Sequence, residues 1–96
     1  MAKIVWIVTI EDVKEYKGAG RFMNTDDYSI ADVFLSKDSA VKKLKEYRDK
    51  ERATDEYSNA LSYEYYTPDS HYYVEYDYRA ATYWREFTII EEEAQD

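Results

Sequence analysis

Between Pro68 and Tyr78 the chain reads PDSHYYVEYDY, which sets an aspartate behind a proline and a glutamate further along the same run. Two carboxylates so placed could hold a divalent metal for phosphodiester hydrolysis. That chemistry also calls for a lysine two residues beyond the glutamate, to stabilise the attacking hydroxide or the charge that develops. Asp77 stands at that position. The required cation is replaced by its opposite, and the chain is not expected to be an enzyme. Nucleophilic catalysis fares no better, because His71 is the single histidine and reads as a residue flanking a turn. With no cysteine to join it, a zinc site is not expected either. Gly18-Ala19-Gly20 lacks the strand-to-helix setting of a phosphate loop, and no segment has the ligand spacing of an EF-hand. No cofactor and no metal are expected.

Binding chemistry is better represented. The formal net charge is -8, and it is not evenly spread. Residues 1 to 54 carry eleven Lys and Arg against ten Asp and Glu, while residues 55 to 96 carry two against eleven. No lysine follows Lys50. Such a balance makes nucleic acid or an anionic membrane a poor partner for the second half, and a basic surface a good one. That same half holds most of the tyrosines, including the runs on either side of Thr67-Pro68-Asp69-Ser70.

The elements that must position these residues follow from periodicity. Residues 3 to 11, KIVWIVTIE, are β-branched and aromatic almost throughout and predict a strand, with Ile4, Trp6, Val8 and Ile10 on one face. Residues 14 to 27 hold both glycines and no clear period, which predicts a loop bearing Lys14, Lys17 and Arg21. Residues 28 to 36 predict a second strand. Ser36 then stands as a helix N-cap with Asp38 in the first turn, and Ala40, Val41, Leu44 and Tyr47 mark one buried stripe. The helical period lapses between Asp49 and Glu56. The remainder predicts a three-stranded meander with turns at Thr67–Ser70 and near residues 79 to 82. Fold class is therefore α+β: a single antiparallel sheet of about five strands in the order β-β-α-β-β-β, with one main helix packed on one face. A single domain over residues 1–96 is expected, with an acidic tail at residues 91–96. No run is long enough to span a membrane, and the N-terminus lacks a signal-peptide cleavage pattern.

Pairing Tyr66 with His71 puts Leu61, Tyr63 and Tyr65 on the same apolar face as Tyr72, Val74 and Tyr76. Pairing Tyr78 with Tyr83 extends that face to Phe87 and Ile89. The opposite face is then expected to gather Glu64, Tyr66, Tyr73, Glu75, Asp77, Trp84 and Glu86, with Glu75 directly across from Glu86. Like charges so placed cost roughly 0.2–1 kcal/mol, and sheet surfaces commonly avoid the cost with a lysine. Rings among unpaired acids offer a partner's arginine both a carboxylate and a face to stack on. An acidic face is also the ordinary means of keeping a domain in solution, and against that reading stand the missing lysines and the Glu91-Glu92-Glu93 run in the same half.

Three segments carry a resemblance: KIVWIVTIEDV, ADVFLSKDSAVKKLKEYRDK and YWREFTIIEEE. A strand, an excursion, a strand running through serine into a lysine-rich helix and a closing aromatic-acid strand resembles many small proteins of bacteriophages and mobile elements. With its acidic, tyrosine-rich second half the chain looks like small phage inhibitors of host defence, the anti-CRISPR proteins and DNA-mimic anti-restriction proteins. The resemblance implies a non-enzymatic inhibitor working in the host cytoplasm, occupying the basic groove of a nucleic-acid-handling protein such as a Cas nuclease. Glu64, Glu75, Asp77 and Glu86 would then meet basic residues, with Tyr66, Tyr73 and Trp84 as anchors. The lysine-rich helix from Lys42 to Arg52 departs from a uniformly acidic mimic. Two other roles remain open at this point: an assembly module whose exposed aromatics form a homodimer, and a nucleic-acid binder using the lysine-rich helix.

Overall fold

In the computed structural model, which describes residues 3–18 and 25–94, five antiparallel strands form one sheet in the order β2-β1-β5-β4-β3. They are β1 (Lys3–Tyr16), β2 (Thr25–Phe34), β3 (Leu61–Thr67), β4 (His71–Asp77) and β5 (Ala81–Ala94), and the helices α1 (Lys37–Arg52) and α2 (Asp55–Ala60) lie between β2 and β3. The α+β class is as expected. No helix among the described residues is long and apolar enough to cross a membrane.

The two central strands set the frame. β1 and β5 pair from Lys3 opposite Ala94 to Tyr16 opposite Ala81 without a break in register. This pairing corrects two expectations. Lys14, Glu15 and Tyr16 belong to β1 and not to a loop, because long-range pairing with Tyr83, Thr82 and Ala81 outweighs their weak local period. Glu91 to Ala94 are likewise strand and not tail, held opposite Trp6 to Lys3. Arg21 and the last two residues lie outside the described residues.

α1 starts where expected. The Ser36 side chain accepts the Ser39 N–H at 3.2 Å, and Asp38 sits in the first turn at the positive end of the helix. Ser36→Ala should cost about 1 kcal/mol, read as a lowered urea midpoint at unchanged slope. The chain then turns through Thr54, whose hydroxyl accepts the Tyr57 N–H at 3.1 Å and caps the short helix α2, which periodicity did not indicate.

α1 covers one face of the sheet. Ala40 and Leu44 of the expected stripe are buried with Val8, Tyr72, Val74, Tyr76 and Phe87, and the Tyr47 ring stacks on Phe87 at 4.8 Å. The register of the meander decides what lies opposite. Ser70 N–H bonds to the Thr67 carbonyl at 3.0 Å, as the Pro68 turn requires, but the strands close with Thr67 opposite His71, leaving a three-residue loop. From Tyr63 to Thr67 the β3–β4 register is thus one residue from that expected, with Tyr66 opposite Tyr72, Tyr65 opposite Tyr73 and Glu64 opposite Val74, and an irregularity between Leu61 and Tyr63 returns Leu61 to its expected partner Tyr76. A one-residue slip exchanges faces. Glu64 and Tyr66 go to the α1 side, and Tyr63 and Tyr65 to the other. Between β4 and β5 the difference is two residues, with Tyr76 opposite Tyr83 and Tyr72 opposite Phe87, so the faces there are kept.

Candidate functional site

The face of the sheet away from α1 has no element packed on it among the described residues. Following the pairings across all five strands gives one row of Tyr28, Glu11, Glu86, Tyr73 and Tyr65, and beside it a row of Asp26, Val13, Trp84, Glu75 and Tyr63. Of the ten exposed large hydrophobic residues among those described, six lie here: Tyr28, Ile30, Val33, Tyr63, Tyr65 and Ile90. Tyr28 is 61 % exposed and Tyr63 54 %. The six fall into two groups, Tyr28, Ile30, Val33 and Ile90 towards β2 and Tyr63 and Tyr65 on β3, with Glu11 and Glu86 between Tyr28 and Tyr65 in the first row.

Glu11 and Glu86 stand directly opposite one another at the centre of the first row. The expected Glu75–Glu86 pair is not formed, because the β4–β5 register sets Glu75 opposite Trp84 and Tyr73 opposite Glu86; the like charge that Glu86 faces comes from β1. Among the described residues neither the Glu11 nor the Glu86 side chain has a hydrogen bond or an ion pair. Glu75 is held, accepting from the Tyr73 hydroxyl at 2.9 Å and the Ser62 hydroxyl at 3.1 Å. Burial, the bond to Glu75 and the charges of Glu75 and Glu86 together push the Tyr73 phenol up, so it stays a neutral donor across the ordinary pH range. Asp77 accepts from Lys17 at 2.6 Å, which holds its carboxyl below the usual range, and it takes a second bond from Thr82 at 3.3 Å.

Tyr73, Glu75, Asp77, Trp84 and Glu86 thus share the open face as expected, and Glu64 and Tyr66 do not. Glu64 sits under the helices. Arg52 grips both its oxygens at 2.9 and 3.1 Å, and it accepts from the hydroxyls of Tyr57 at 3.0 Å and Tyr72 at 2.7 Å. Burial alone would raise its pKa, but the Arg52, Tyr72 and Tyr57 bonds outweigh it and the carboxyl lies below its usual value. Tyr66 packs edge-on against Tyr72, centroids 6.0 Å apart, with the Arg48 guanidinium 4.7 Å from its ring centre. In their place the face gains Glu11, Tyr28, Tyr63 and Tyr65. The signal for Glu11 was its parity with Val5, Ile7 and Thr9, which only the β1–β5 pairing turns into a position.

Charge divides by layer. The lysines of α1 lie on the helical side, where Lys37 meets Asp69 at 3.8 Å, Lys43 meets Glu46 at 3.7 Å and Arg48 meets Asp49 at 2.7 Å. Arg85 alternates with Trp84 and Glu86 and so points the same way, into Glu51 and Asp12. Within the strands Lys3 is the cation at one end of the open face, and Lys17, taken by Asp77, lies at the rim beside the β4–β5 turn that carries Arg79. No group of three carboxylate or histidine side chains among the described residues is placed to hold a metal ion. Compared with protein-family models, with curated proteins and with solved structures, the chain matches none.

Proposed function

We propose that this chain is a binding inhibitor that lays the open face of its sheet into a basic, nucleic-acid-binding groove of a partner protein, such as a nuclease complex of a host defence system. The observation that carries this reading is the Glu11–Glu86 pair, unpaired to any cation among the described residues and flanked by Tyr28 and Tyr73 in the same row. A sheet surface that only needed solubility would offset one of those acids with a lysine, and the chain has lysines to spare on α1. An arginine arriving between the two rows finds a carboxylate for its fork and a tyrosine face for its plane. Two copies of the face laid together would set acids on acids, which favours a basic occupant over self-association.

The test uses purified CRISPR nuclease complexes and restriction enzymes, assayed for retention of the protein and for cleavage. Retention by one of them, release by duplex DNA, and inhibition that weakens steeply with salt are expected. Glu11→Lys with Glu86→Lys should keep the fold and weaken inhibition on the order of a hundredfold. A double variant that inhibits as well as the parent removes this face from the account. A gel shift of DNA or RNA by the protein itself at micromolar concentration would move the function to the lysines of α1.

A further inference from the structure

β5 outruns its neighbour. β4 pairs with it from Asp77 opposite Thr82 to His71 opposite Thr88, and the last bond on that side runs from the Ile89 N–H to the Ser70 carbonyl at 2.8 Å. From Ile90 to Ala94, β5 is paired with β1 alone among the described residues. Backbone direction alternates along a strand, so the Ile89 N–H fixes the sense of those that follow. Glu91 and Glu93 must aim their N–H and C=O groups to the side β4 has vacated. Their side chains lie on the α1 face of the sheet, opposite Trp6 and Ile4, while Ile90 and Glu92 lie on the open face.

We propose that this edge is a second docking site, one that takes an extended, lysine- or arginine-containing segment of a partner protein as an added strand in line with β4. An unpaired strand edge is a template for any extended chain, and side chains decide which chain it accepts. Here a strand laid along β5 meets Glu91 and Glu93 on one face and Glu92 on the other. Lys3, on the far strand opposite Ala94, and Lys37, already held by Asp69 at 3.8 Å, are the described cations at this end. A second copy adding through the same edge would set the three glutamates against three glutamates, and directly opposed like charges are destabilising. The same acids admit a basic segment. Ile90, 38 % exposed, supplies an apolar neighbour for the residue that faces it, so a segment alternating basic and apolar residues fits both sides.

This inference does not depend on the open-face reading, and the experiment separates the two. The probe is a short peptide alternating lysine and valine, titrated into the 15N-labelled protein, with an alternating glutamate–valine peptide beside it. Amide shifts confined to Ile89–Ala94 and to β1 opposite them are expected, with no response to the acidic peptide. Glu93→Pro removes one outward N–H while sparing the bonds to β1, since proline is tolerated on an edge whose N–H faces away from its partner. It should weaken the peptide by about tenfold or more. The same loss is expected when the parent protein meets a peptide N-methylated on alternate residues, a comparison that holds whether or not the proline variant folds. Glu91→Gln with Glu93→Gln should weaken binding and flatten its salt dependence, and Glu11→Lys with Glu86→Lys should leave it unchanged. Equal affinity for the methylated and unmethylated peptides, shifts centred on Glu11 and Glu86, or no binding at millimolar peptide would each overturn the proposal.

Discussion

Arg85→Met should destabilise the fold by about 3–5 kcal/mol, the largest single-residue effect expected in this chain. Arg85 leaves β5 on the α1 side, donates to Glu51 Oε1 at 2.6 Å and also binds Asp12 and the Tyr83 hydroxyl. Glu51 is 4 % exposed, and its other oxygen accepts from the Tyr76 hydroxyl at 2.6 Å. Methionine keeps much of the arginine's volume and none of its charge. The Glu51 carboxylate would then stay buried with one phenol donor and no counter-charge, which is what makes removing one member of a buried pair costly. Removing both is a different matter: Arg85→Met combined with Glu51→Met leaves no unpaired charge and should recover part of the loss, the remainder being the Tyr76 hydroxyl left without its Glu51 acceptor. Urea unfolding of the two single variants and the double variant measures the coupling. A single variant within 1 kcal/mol of the parent would mean that packing by Leu44, Tyr72 and Phe87, and not this network, seats the end of α1 on the sheet.

The strands and α1 could be read from the sequence because each carries its own period and α1 its own cap. The end of β5 could not. Three successive glutamates satisfy no alternation, and they become strand only because Trp6, Val5 and Ile4 lie across from them. The one-residue error in the β3–β4 hairpin has an equally local cause. Tyr63, Tyr65 and Tyr66 put a ring on either face in either register, so the apolar pattern could not choose between them, and a three-residue loop was not distinguished from a four-residue one. The even shift between β4 and β5 kept the faces, which is why Tyr73, Glu75, Asp77, Trp84 and Glu86 share one side, but it moved Glu75 from Glu86 to Trp84. Glu64 held the missing information. A glutamate on the α1 side needs a cation, and Arg52 stands at the end of α1, but the sequence alone does not say that the two meet.

Glu64 and Glu86 should consequently respond in opposite ways to neutral substitution. Glu64→Met strands the Tyr72 hydroxyl, on a residue with no solvent exposure, and releases Tyr57 and Arg52, so a loss of about 1–3 kcal/mol is expected. Glu86→Gln on the open face relieves the repulsion from Glu11 and should stay within about 0.5 kcal/mol of the parent while weakening the partner. Acid adds a second readout. The bonds from Arg52, Tyr72 and Tyr57 hold the Glu64 carboxyl below its unfolded value against the opposing effect of burial. A group depressed in this way contributes its stability in full above the unfolded pKa and loses it as pH falls through the lower folded pKa. The parent should therefore lose stability on acidification below about pH 4.5, and Glu64→Met should lose less over the same span because it has already forfeited that contribution. Parallel acid limbs for parent and variant would show that Glu64 is not the carboxylate the fold depends on. If instead Glu86→Gln is the variant that unfolds, the acids of the open face are holding the sheet together, and they are not free to meet a partner.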